Sequence, residues 1–396
     1  MFQREAFNQL LKHVDNEFVK IITGVRRSGK SYLLLLLNDY LLAQKKQVLY
    51  INFEAIEFLN INTADVLMTY IQAHVKLDEK VYFLFDEIQL VKDWERVVNG
   101  LRVSYNADIY MTGSNAQMLS GQLSTLLSGR YVTLEVFPLS YLEFLNFKGA
   151  TTSTPTLWRE YRGFGAFPAL PSISDETVKS TVLDGIFDTI LLKDVAMNQN
   201  IKNTELLRRV ALYLFDVAGN PVSSKKITDS INDELRRKNE SISASTITGI
   251  LDALTNAYIF YKAQRYDIRG KERLKTLSKY YPVDTGLRNQ ALGRRDLNRG
   301  SQLETIVYLE LLRRGYQVFV GKYNDKEIDF VAQRMNETLY VQVALEIPEG
   351  STRETDDLLH LPDNYEKILI LDTMPDSAEI DGVKVVNVVE WLLDKR

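Results

Sequence analysis

The chain has 396 residues, of which 45% are hydrophobic and 25% charged, and its formal net charge is −4. These values are typical of a globular protein of two or three domains and exclude a polycation or a disordered chain. The chain has no cysteine, which excludes disulfides and thiolate metal sites, and its three histidines are too scattered to predict a zinc site.

The amino-terminal sequence "MFQREAFNQL" is charged and lacks the apolar core of a signal peptide. No segment of the sequence reaches 18 uninterrupted apolar residues. We therefore expect a cytoplasmic protein with no membrane partner.

The first predicted strand, "FVKIIT" at residues 18–23, leads into "GVRRSGKS" and then into an apolar helix. This order and the spacing G-x-x-x-x-G-K-S are typical of a loop whose backbone N–H groups surround the phosphates of a nucleotide. Lys30 is expected to reach the outer phosphates during catalysis, and the Ser31 hydroxyl is expected to hold Mg²⁺. The predicted nucleotide-binding residues are Gly24, Val25, Arg26, Arg27, Ser28, Gly29, Lys30, Ser31 and Tyr32.

A second apolar strand, within "VYFLFDEIQ" at residues 81–89, ends in Asp86 and is followed by Glu87. Two carboxylates at the end of a buried strand need a partner, because burying unpaired charge is costly. A Mg²⁺ ion would supply that partner. Asp86 is therefore the predicted metal ligand, and Glu87 is the predicted general base for the attacking water.

A third strand, at residues 107–112, runs into the sequence "TGSN". In P-loop enzymes of this topology, the strand beside the metal-binding strand carries a polar residue that senses the γ-phosphate. Ser114 is the predicted catalytic residue at this position, and Asn115 is its alternative. The same four residues are also typical of an ordinary turn.

Strands are predicted in the first part of the chain at residues 18–23, 47–53, 81–86, 107–112 and 131–137. Helical sequence lies between them, and this alternation predicts a parallel sheet with helices on both faces. Ligands bind at the carboxyl ends of such strands, which is where all three motifs fall.

Residues 149–204 begin with the turn-rich "GATTSTPT" and continue with helical sequence such as "VLDGIFDTILLKDVA", which indicates a lid or connector. From residue 205 onward, three helical segments are followed by a predicted hairpin, as in a winged helix. Within residues 221–280, 12 Lys and Arg stand against 7 Asp and Glu. A basic patch on such a fold predicts DNA contact, and the alternative is a module that binds only protein.

Residues 300–396 form another α/β pattern, with Glu304 on a helix, Asp329 on a strand and Gln342 on the next strand. Restriction-endonuclease-like nucleases place a Glu, an Asp and then E-x-K in this order to hold Mg²⁺ and to generate the attacking hydroxide. Here the last three positions read Gln342, Val343 and Ala344. We expect a nuclease-like fold without nuclease activity; an active nuclease that recruits Lys322 or Lys326 is the alternative.

Together these motifs resemble those of the archaeal and bacterial AAA-like P-loop ATPases that carry a C-terminal domain of unknown function. The resemblance covers nearly the whole chain and rests on "GVRRSGKS", "FLFDEIQ", "YMTGSN", "LSGR" before "LEVFPLSYLEFL", "IFDTILLKDV", "KYYPVDTGLRN" and "LETIVYLELLRRGYQVFVG…KEIDFVA…LYVQVA". It implies ATP binding with slow hydrolysis, a winged-helix-like middle part and a nuclease-like end. In that end the glutamine of "VQVA" implies that nuclease activity has been lost. It also implies that Arg130 in "LSGR" is the cation on the γ-phosphate, in cis or from a neighbouring subunit, with Arg26 and Arg27 as rivals.

The predicted fold class is α/β: a P-loop NTPase parallel sheet, then a winged-helix-like domain, then a restriction-endonuclease-like α/β domain. The predicted domains are an AAA-like ATPase domain at 1–148, a helical lid or connector at 149–204, a winged-helix-like domain at 205–299 and a nuclease-like domain at 300–396. The predicted function is a Mg²⁺-dependent ATPase that acts as a nucleotide-controlled switch, associates with DNA through residues 221–280, and is able to oligomerise. The alternatives are a DNA-processing enzyme with an active nuclease domain and an ATP-dependent regulator of a protein partner.

Overall fold

The computed structural model describes residues 4–76, 78–113, 116, 127, 129–235, 241–293, 298–347, 353–374, 379–380 and 382–394. The chain divides into two compact units, Met1–Pro138 with Asn256–Tyr258, and Leu139–Thr255 with Ile259–Arg396. Among the helices in the described ranges, none is long and apolar enough to cross a membrane.

The first unit is a parallel sheet flanked by helices. Its helices are α1 Glu5–Leu11, α2 Lys30–Ala43, α3 Ala64–His74 and α4 Trp94–Ser104. Its strands are β1 Val19–Thr23, β2 Gln47–Asn52, β3 Val81–Asp86, β4 Ala107–Thr112 and β5 Tyr131–Glu135. The strands are parallel throughout, in the order β2-β3-β4-β1-β5, which confirms the predicted P-loop NTPase fold class.

Side chains of the central strands alternate between two hydrophobic cores. Ile21 of β1 belongs to the core that also contains Leu67 of α3 and Val98 of α4, whereas Ile22 packs with Leu37 of α2. This alternation places helices on both faces of the sheet. The loop between β1 and α2 therefore lies at the carboxyl edge of the sheet.

A buried ion pair crosses the sheet near the amino ends of β1 and β4, and the apolar sequence pattern did not indicate it. The Nζ atom of Lys20 lies 2.5 Å from Oδ1 of Asp108, and both side chains are almost fully buried. The Tyr110 hydroxyl donates to the other Asp108 oxygen at 3.1 Å. Burial lowers the pKa of Lys20 and Asp108 opposes that shift, so the pair is a satisfied structural feature of the sheet.

The rest of the chain is built around a second sheet. Its helices are α5 Tyr141–Phe147, α6 Pro155–Phe164, α7 Glu176–Thr189, α8 Thr204–Asp216, α9 Ser224–Leu235, α10 Ala244–Asn256, α11 Thr285–Ala291, α12 Arg299–Arg313, α13 Arg353–Leu359 and α14 Val388–Leu393, and a π-helical segment, Ile190–Met197, continues α7. Its strands are β6 Pro221–Val222, β7 Phe260–Asp267, β8 Glu272–Pro282, β9 Gln317–Tyr323, β10 Lys326–Arg334, β11 Glu337–Ala344, β12 Glu366–Leu371, β13 Glu379–Ile380 and β14 Val383–Asn387.

The nine strands form one sheet in the order β13-β14-β12-β11-β10-β9-β7-β8-β6. The element order α8-β6-α9-α10-β7-β8, with β6 and β7 both antiparallel to β8, is that of a winged helix. The hairpin is not separate from the carboxyl-terminal strands, because β7 pairs in parallel with β9 through Arg265 and Val320. The boundary predicted between residues 299 and 300 would separate strands that in the structure belong to one continuous sheet.

The first unit also ends earlier than the predicted boundary at residue 148, since the first division of the chain lies between Pro138 and Leu139. Helix α5 packs instead on α6. The ring of Tyr141 lies 5.2 Å from that of Trp158 and 4.9 Å from that of Tyr161. This aromatic packing assigns residues 141–147 to the second unit.

Candidate nucleotide-binding site

The loop between β1 and α2 requires glycine at both of its motif positions. Gly24 has a φ of 133°, and a Cβ at this position would lie 2.3 Å from the carbonyl oxygen of Val136. Gly29 has a φ of 102° and caps the amino terminus of α2. Gly24 is therefore fixed by close packing against the residue that follows β5, a reason that the motif alone did not reveal.

Arg4 holds the loop from the amino-terminal segment, and sequence analysis missed it. Its side chain is 4% exposed. Its Nη1 donates to the carbonyl of Ser28 at 2.9 Å, and its Nη2 donates to the carbonyl of Phe137 at 2.9 Å. Arg4 thus ties the nucleotide loop to the segment after β5, and only the three-dimensional fold brings these groups together.

Lys30 is the first residue of α2 and is 5% exposed. Its ammonium donates to the carbonyls of Gly24 at 2.9 Å and Val25 at 3.0 Å, so the loop itself fixes its position. Ser31 and Tyr32 follow in the first turn of α2 and are half-buried. The helix terminus and the ammonium together make a site for a polyanion.

The carboxyl ends of β3 and β4 meet in a hydrogen-bonded group. The Thr112 hydroxyl donates to Oδ1 of Asp86 at 2.5 Å and accepts from the backbone N–H of Glu87 at 2.9 Å. Glu87 has a φ of 59°, the left-handed conformation that non-glycine residues rarely adopt. Thr112 therefore positions the Asp86 carboxylate and the backbone of Glu87. The residues predicted from the sequence for this strand end, Ser114 and Asn115, lie outside the described residues.

Burial raises the pKa of both carboxyl groups. For Asp86, the hydroxyls of Thr112 and Ser31 and the Lys30 ammonium oppose the rise in pKa. For Glu87, Lys30 and then Gln89 oppose the rise in pKa. The Oδ2 atom of Asp86 is buried without a hydrogen-bond partner. A buried, unpartnered carboxylate oxygen beside a serine hydroxyl fits the oxygen ligands that Mg²⁺ prefers.

Residues within β2 and just after it lie beside the site. Arg26 of the loop lies 3.7 Å from a carboxylate oxygen of Glu54. Burial raises the pKa of the Tyr50 hydroxyl to about 12, and the nearby Asp86 carboxylate adds to this shift. Tyr50 and Glu54 were missed because the strand "QVLYINF" carries no recognisable phosphate motif.

Arg130 does not reach this site within one chain. Its carbonyl accepts from the N–H of Val19, the first residue of β1, so Arg130 lies at the amino edge of the sheet. The nucleotide loop follows Thr23 at the other edge, and the five residues of β1 span about 15 Å. The prediction of Arg130 as a cation in cis is therefore wrong, and a role in trans stays a prediction. The two alternative candidates for the cation on the γ-phosphate are Arg26, which is half-buried, and Arg27, which is exposed.

The predicted nuclease-like residues come together in the second unit, around a lysine. The Nζ atom of Lys279 in β8 lies 3.1 Å from Glu304 and 2.9 Å from Glu327. The Tyr281 hydroxyl also donates to Glu304, at 2.6 Å. Although burial lowers the pKa of Lys279, the carboxylates of Glu304, Asp329 and Glu327 outweigh it and raise that pKa above its ordinary value.

The remaining members of this cluster are also engaged. Gln342 accepts from the backbone N–H of Asp329 at 3.2 Å, and Asp329 accepts from the N–H of Val343 at 2.8 Å. Lys326, a predicted substitute for the missing lysine, pairs instead with Asp357 at 2.7 Å. In the part of the chain that the structure describes, no group of three or more acidic or histidine side chains could hold a metal ion.

Some of the Lys and Arg residues counted in the basic region at residues 221–280 pair with carboxylates, so its surface carries less positive charge than the sequence count indicates. Lys279 is buried against carboxylates, and Arg265 lies 3.9 Å from Glu327. Lys225 and Lys226, at the start of α9, are exposed. The predicted contacts Arg236, Arg237 and Lys238 lie outside the described residues.

Comparison with known families and proteins gives the chain two domain matches. Residues 16–145 match a family described as an AAA domain, and residues 155–298 match a domain of unknown function (DUF8612). An uncharacterized protein of Haemophilus influenzae is 48% identical over 401 residues, which cover 99% of each chain. An uncharacterized protein of Methanocaldococcus jannaschii is 32% identical and covers 86% of this chain and 77% of its own.

Solved structures with detectable similarity include the Aeropyrum pernix Orc1 protein in complex with DNA, at 10% identity and a TM-score of 0.34, covering 73% of this chain and 91% of that one. AMPPCP-bound DnaA from Aquifex aeolicus matches at 14% identity and a TM-score of 0.30, covering 63% of this chain and 86% of that one. Scores this low carry no inference about function. The two relatives, the AAA-domain match and the P-loop sheet establish the family: the chain belongs to the AAA-like P-loop ATPases that carry a C-terminal domain of unknown function.

Proposed function

We propose that the chain binds ATP with Mg²⁺ at the loop between β1 and α2 and hydrolyses it. The observation that carries this proposal is the unpartnered, buried Oδ2 of Asp86 at the carboxyl edge of the sheet, next to the loop that holds Lys30. An unpaired buried carboxylate oxygen is costly unless a cation or donor satisfies it. A metal-bound triphosphate supplies that cation.

Each residue of the site has a role in this proposal. Lys30 leaves the loop carbonyls and pairs with the outer phosphates, while the N–H groups of the loop bind the remaining oxygens. Ser31 and Asp86 would hold Mg²⁺, which neutralises charge on the phosphates. Glu87 takes the proton of the attacking water, and the raised pKa of its buried carboxyl suits a base. Gln89 donates to one oxygen of Glu87 and so orients the carboxylate.

Substitution of Lys30 tests the nucleotide site directly. Lys30→Ala should weaken Mg²⁺–ATP binding about 10–100-fold, because a charge-assisted hydrogen bond to phosphate contributes about 1.5–3 kcal/mol. Calorimetric titration measures this loss, and Lys92→Ala, which removes an exposed lysine of the same unit, is the matched control. Equal affinity in both variants would contradict the assignment of the site.

We also propose that nucleotide state controls a second activity of the chain, contact with DNA through residues 221–280. The winged-helix order α8-β6-α9-α10-β7-β8 and the exposed Lys225 and Lys226 support this contact. Replacing both lysines with glutamine should make the slope of log affinity against log salt about two units shallower. A slope equal to that of the wild type would move DNA contact away from α9, and no DNA affinity at all would favour a protein partner.

A further inference from the structure

The second unit contains a polar cavity of about 500 Å³, bounded by α6, α7, α11 and α12. Most of its lining residues fall in residues 155–298, the part that matches the domain of unknown function. Four cationic side chains line it, namely Arg159, Arg162, Lys179 and Arg299. Phe164 also lines it, and the Nζ atom of Lys179 lies 4.9 Å from the centroid of the Phe164 ring. Cavities of this size accommodate small organic ligands.

Two carboxylates position three of these cations, and one of the carboxylates also pairs with Lys148, which is not a lining residue. Asp372 Oδ2 lies 2.8 Å from Nη1 of Arg162 and 3.5 Å from Nη2 of Arg299. Glu160 Oε1 lies 2.5 Å from Lys179 and 2.7 Å from Lys148. Because one carboxylate neutralises only one cation, each of these two groups keeps one positive charge.

The charge of the lining therefore stays positive. Arg159 adds a further cation, and it is exposed with no ionic partner among the described residues. Glu176 is the other acidic residue of the described lining besides Glu160. Lys179 itself is 4% exposed, so part of this positive charge is buried, where solvent screens it weakly.

The polar wall of the cavity is rigidly held. The Asn289 side chain donates to the carbonyls of Arg162 at 3.1 Å and Gly163 at 3.0 Å, and it accepts from Gln302 at 2.9 Å. Trp158 donates to Asp372 Oδ1 at 2.8 Å, which fixes the carboxylate between the two arginines. These contacts preorganise the cations before any ligand arrives.

We propose that this cavity binds a small molecule that carries a phosphate group. The exposed guanidinium groups of Arg159 and Arg299 present paired donors that match phosphate oxygens, and the surplus positive charge of the lining favours an anion. The site lies wholly within the second unit and does not depend on ATP binding at Lys30.

Full-length variants that all carry Lys30→Ala separate this cavity from the nucleotide loop. Calorimetry measures the binding of adenosine 5′-monophosphate, inorganic pyrophosphate and uncharged adenosine to each variant. Arg159→Gln combined with Arg299→Gln removes two exposed cations of the cavity, and Arg162 keeps its own ion pair with Asp372. The matched control is Arg269→Gln, which removes an exposed arginine in the turn of the β7–β8 hairpin. Circular dichroism and melting temperature confirm that every variant is folded.

We expect saturable binding of the two phosphate-bearing probes and none of adenosine. The double variant should bind at least about tenfold more weakly, and the Arg269→Gln variant should bind as the parent does. Equal affinity of the double variant and the control would overturn the proposal, as would binding of adenosine as tight as that of its monophosphate. Absence of saturable binding of both phosphate probes below about 10 mM, a weaker affinity than an organised phosphate site provides, would also overturn it.

Discussion

Lys279→Met removes the cation at the centre of the carboxylate cluster while keeping most of the side-chain volume. Lys279 is 3% exposed and lies about 3 Å from both Glu304 and Glu327. Loss of one partner of a buried pair leaves the other charge uncompensated and costs about 3–5 kcal/mol. The side chains of Glu304 and Glu327 are 16% and 35% exposed, so water stabilises them in part. We therefore expect Lys279→Met to lower the free energy of unfolding by about 3 kcal/mol, the lower end of that range.

A loss of this size should lower the melting temperature of the second unit by about 6–12 °C. The pKa of Lys279 is raised in the folded chain, so its stabilising contribution is complete below the unfolded pKa near 10.5 and is lost only above it. The difference between wild type and variant should thus be constant between about pH 6 and pH 9. Tryptophan fluorescence in a Trp94→Phe background reports on the second unit, because Trp158 and Trp391 both belong to it.

Lys262→Met is the control for this experiment, since Lys262 lies on the neighbouring strand β7 and is exposed. It should change stability by less than about 0.5 kcal/mol. Equal melting temperatures for Lys279→Met and Lys262→Met would refute the view that Lys279 is the buried cation that compensates these carboxylates.

Three further predictions follow from the geometry. Thr112→Val should lower the ATP turnover number about tenfold or more, because it removes the hydrogen bonds to Asp86 and Glu87, and Thr112→Ser should restore turnover; steady-state kinetics distinguish the two. Burial raises the pKa of Asp284 to about 6, so the contribution of this carboxyl to the free energy of unfolding should fall as pH rises from about 4 to about 6. Asp284→Asn should remove this contribution in melts at several pH values, and a pH dependence equal to that of the wild type would contradict it. Arg130→Gln should leave ATP turnover unchanged in dilute, monomeric protein and should lower it only at concentrations where the chain associates; a loss in the monomer would contradict the placement of Arg130 at the amino edge.

The nucleotide site could be predicted from the sequence because its parts are local. The loop, the apolar strands and the acidic strand end each lie within a short segment, and a parallel sheet brings carboxyl ends to one edge. Strand β3 has its predicted bounds, Val81–Asp86. Thr112 was overlooked because its role depends on the neighbouring strand rather than on its own turn.

Contacts between distant segments could not be predicted in the same way. Arg4 binds the carbonyl of Ser28, 24 residues away, and Lys279 meets Glu304 across 25 residues. A lysine counted from sequence as part of a basic surface proved to be a buried partner of carboxylates. The parallel pairing of β7 with β9 likewise leaves no periodic signal, so the hairpin and the carboxyl-terminal strands were expected to be separate domains.

Comparison of ATP binding and ATP turnover in wild type and Glu87→Gln tests the central claim most directly. The variant keeps the shape of the side chain and loses its ability to accept a proton. The Mg²⁺–ATP affinity of the variant should stay within about twofold of wild type, and its phosphate release should be slower by about 10²–10⁴-fold. Phosphate release at the wild-type rate in Glu87→Gln would contradict the assignment of this site as the one that hydrolyses ATP.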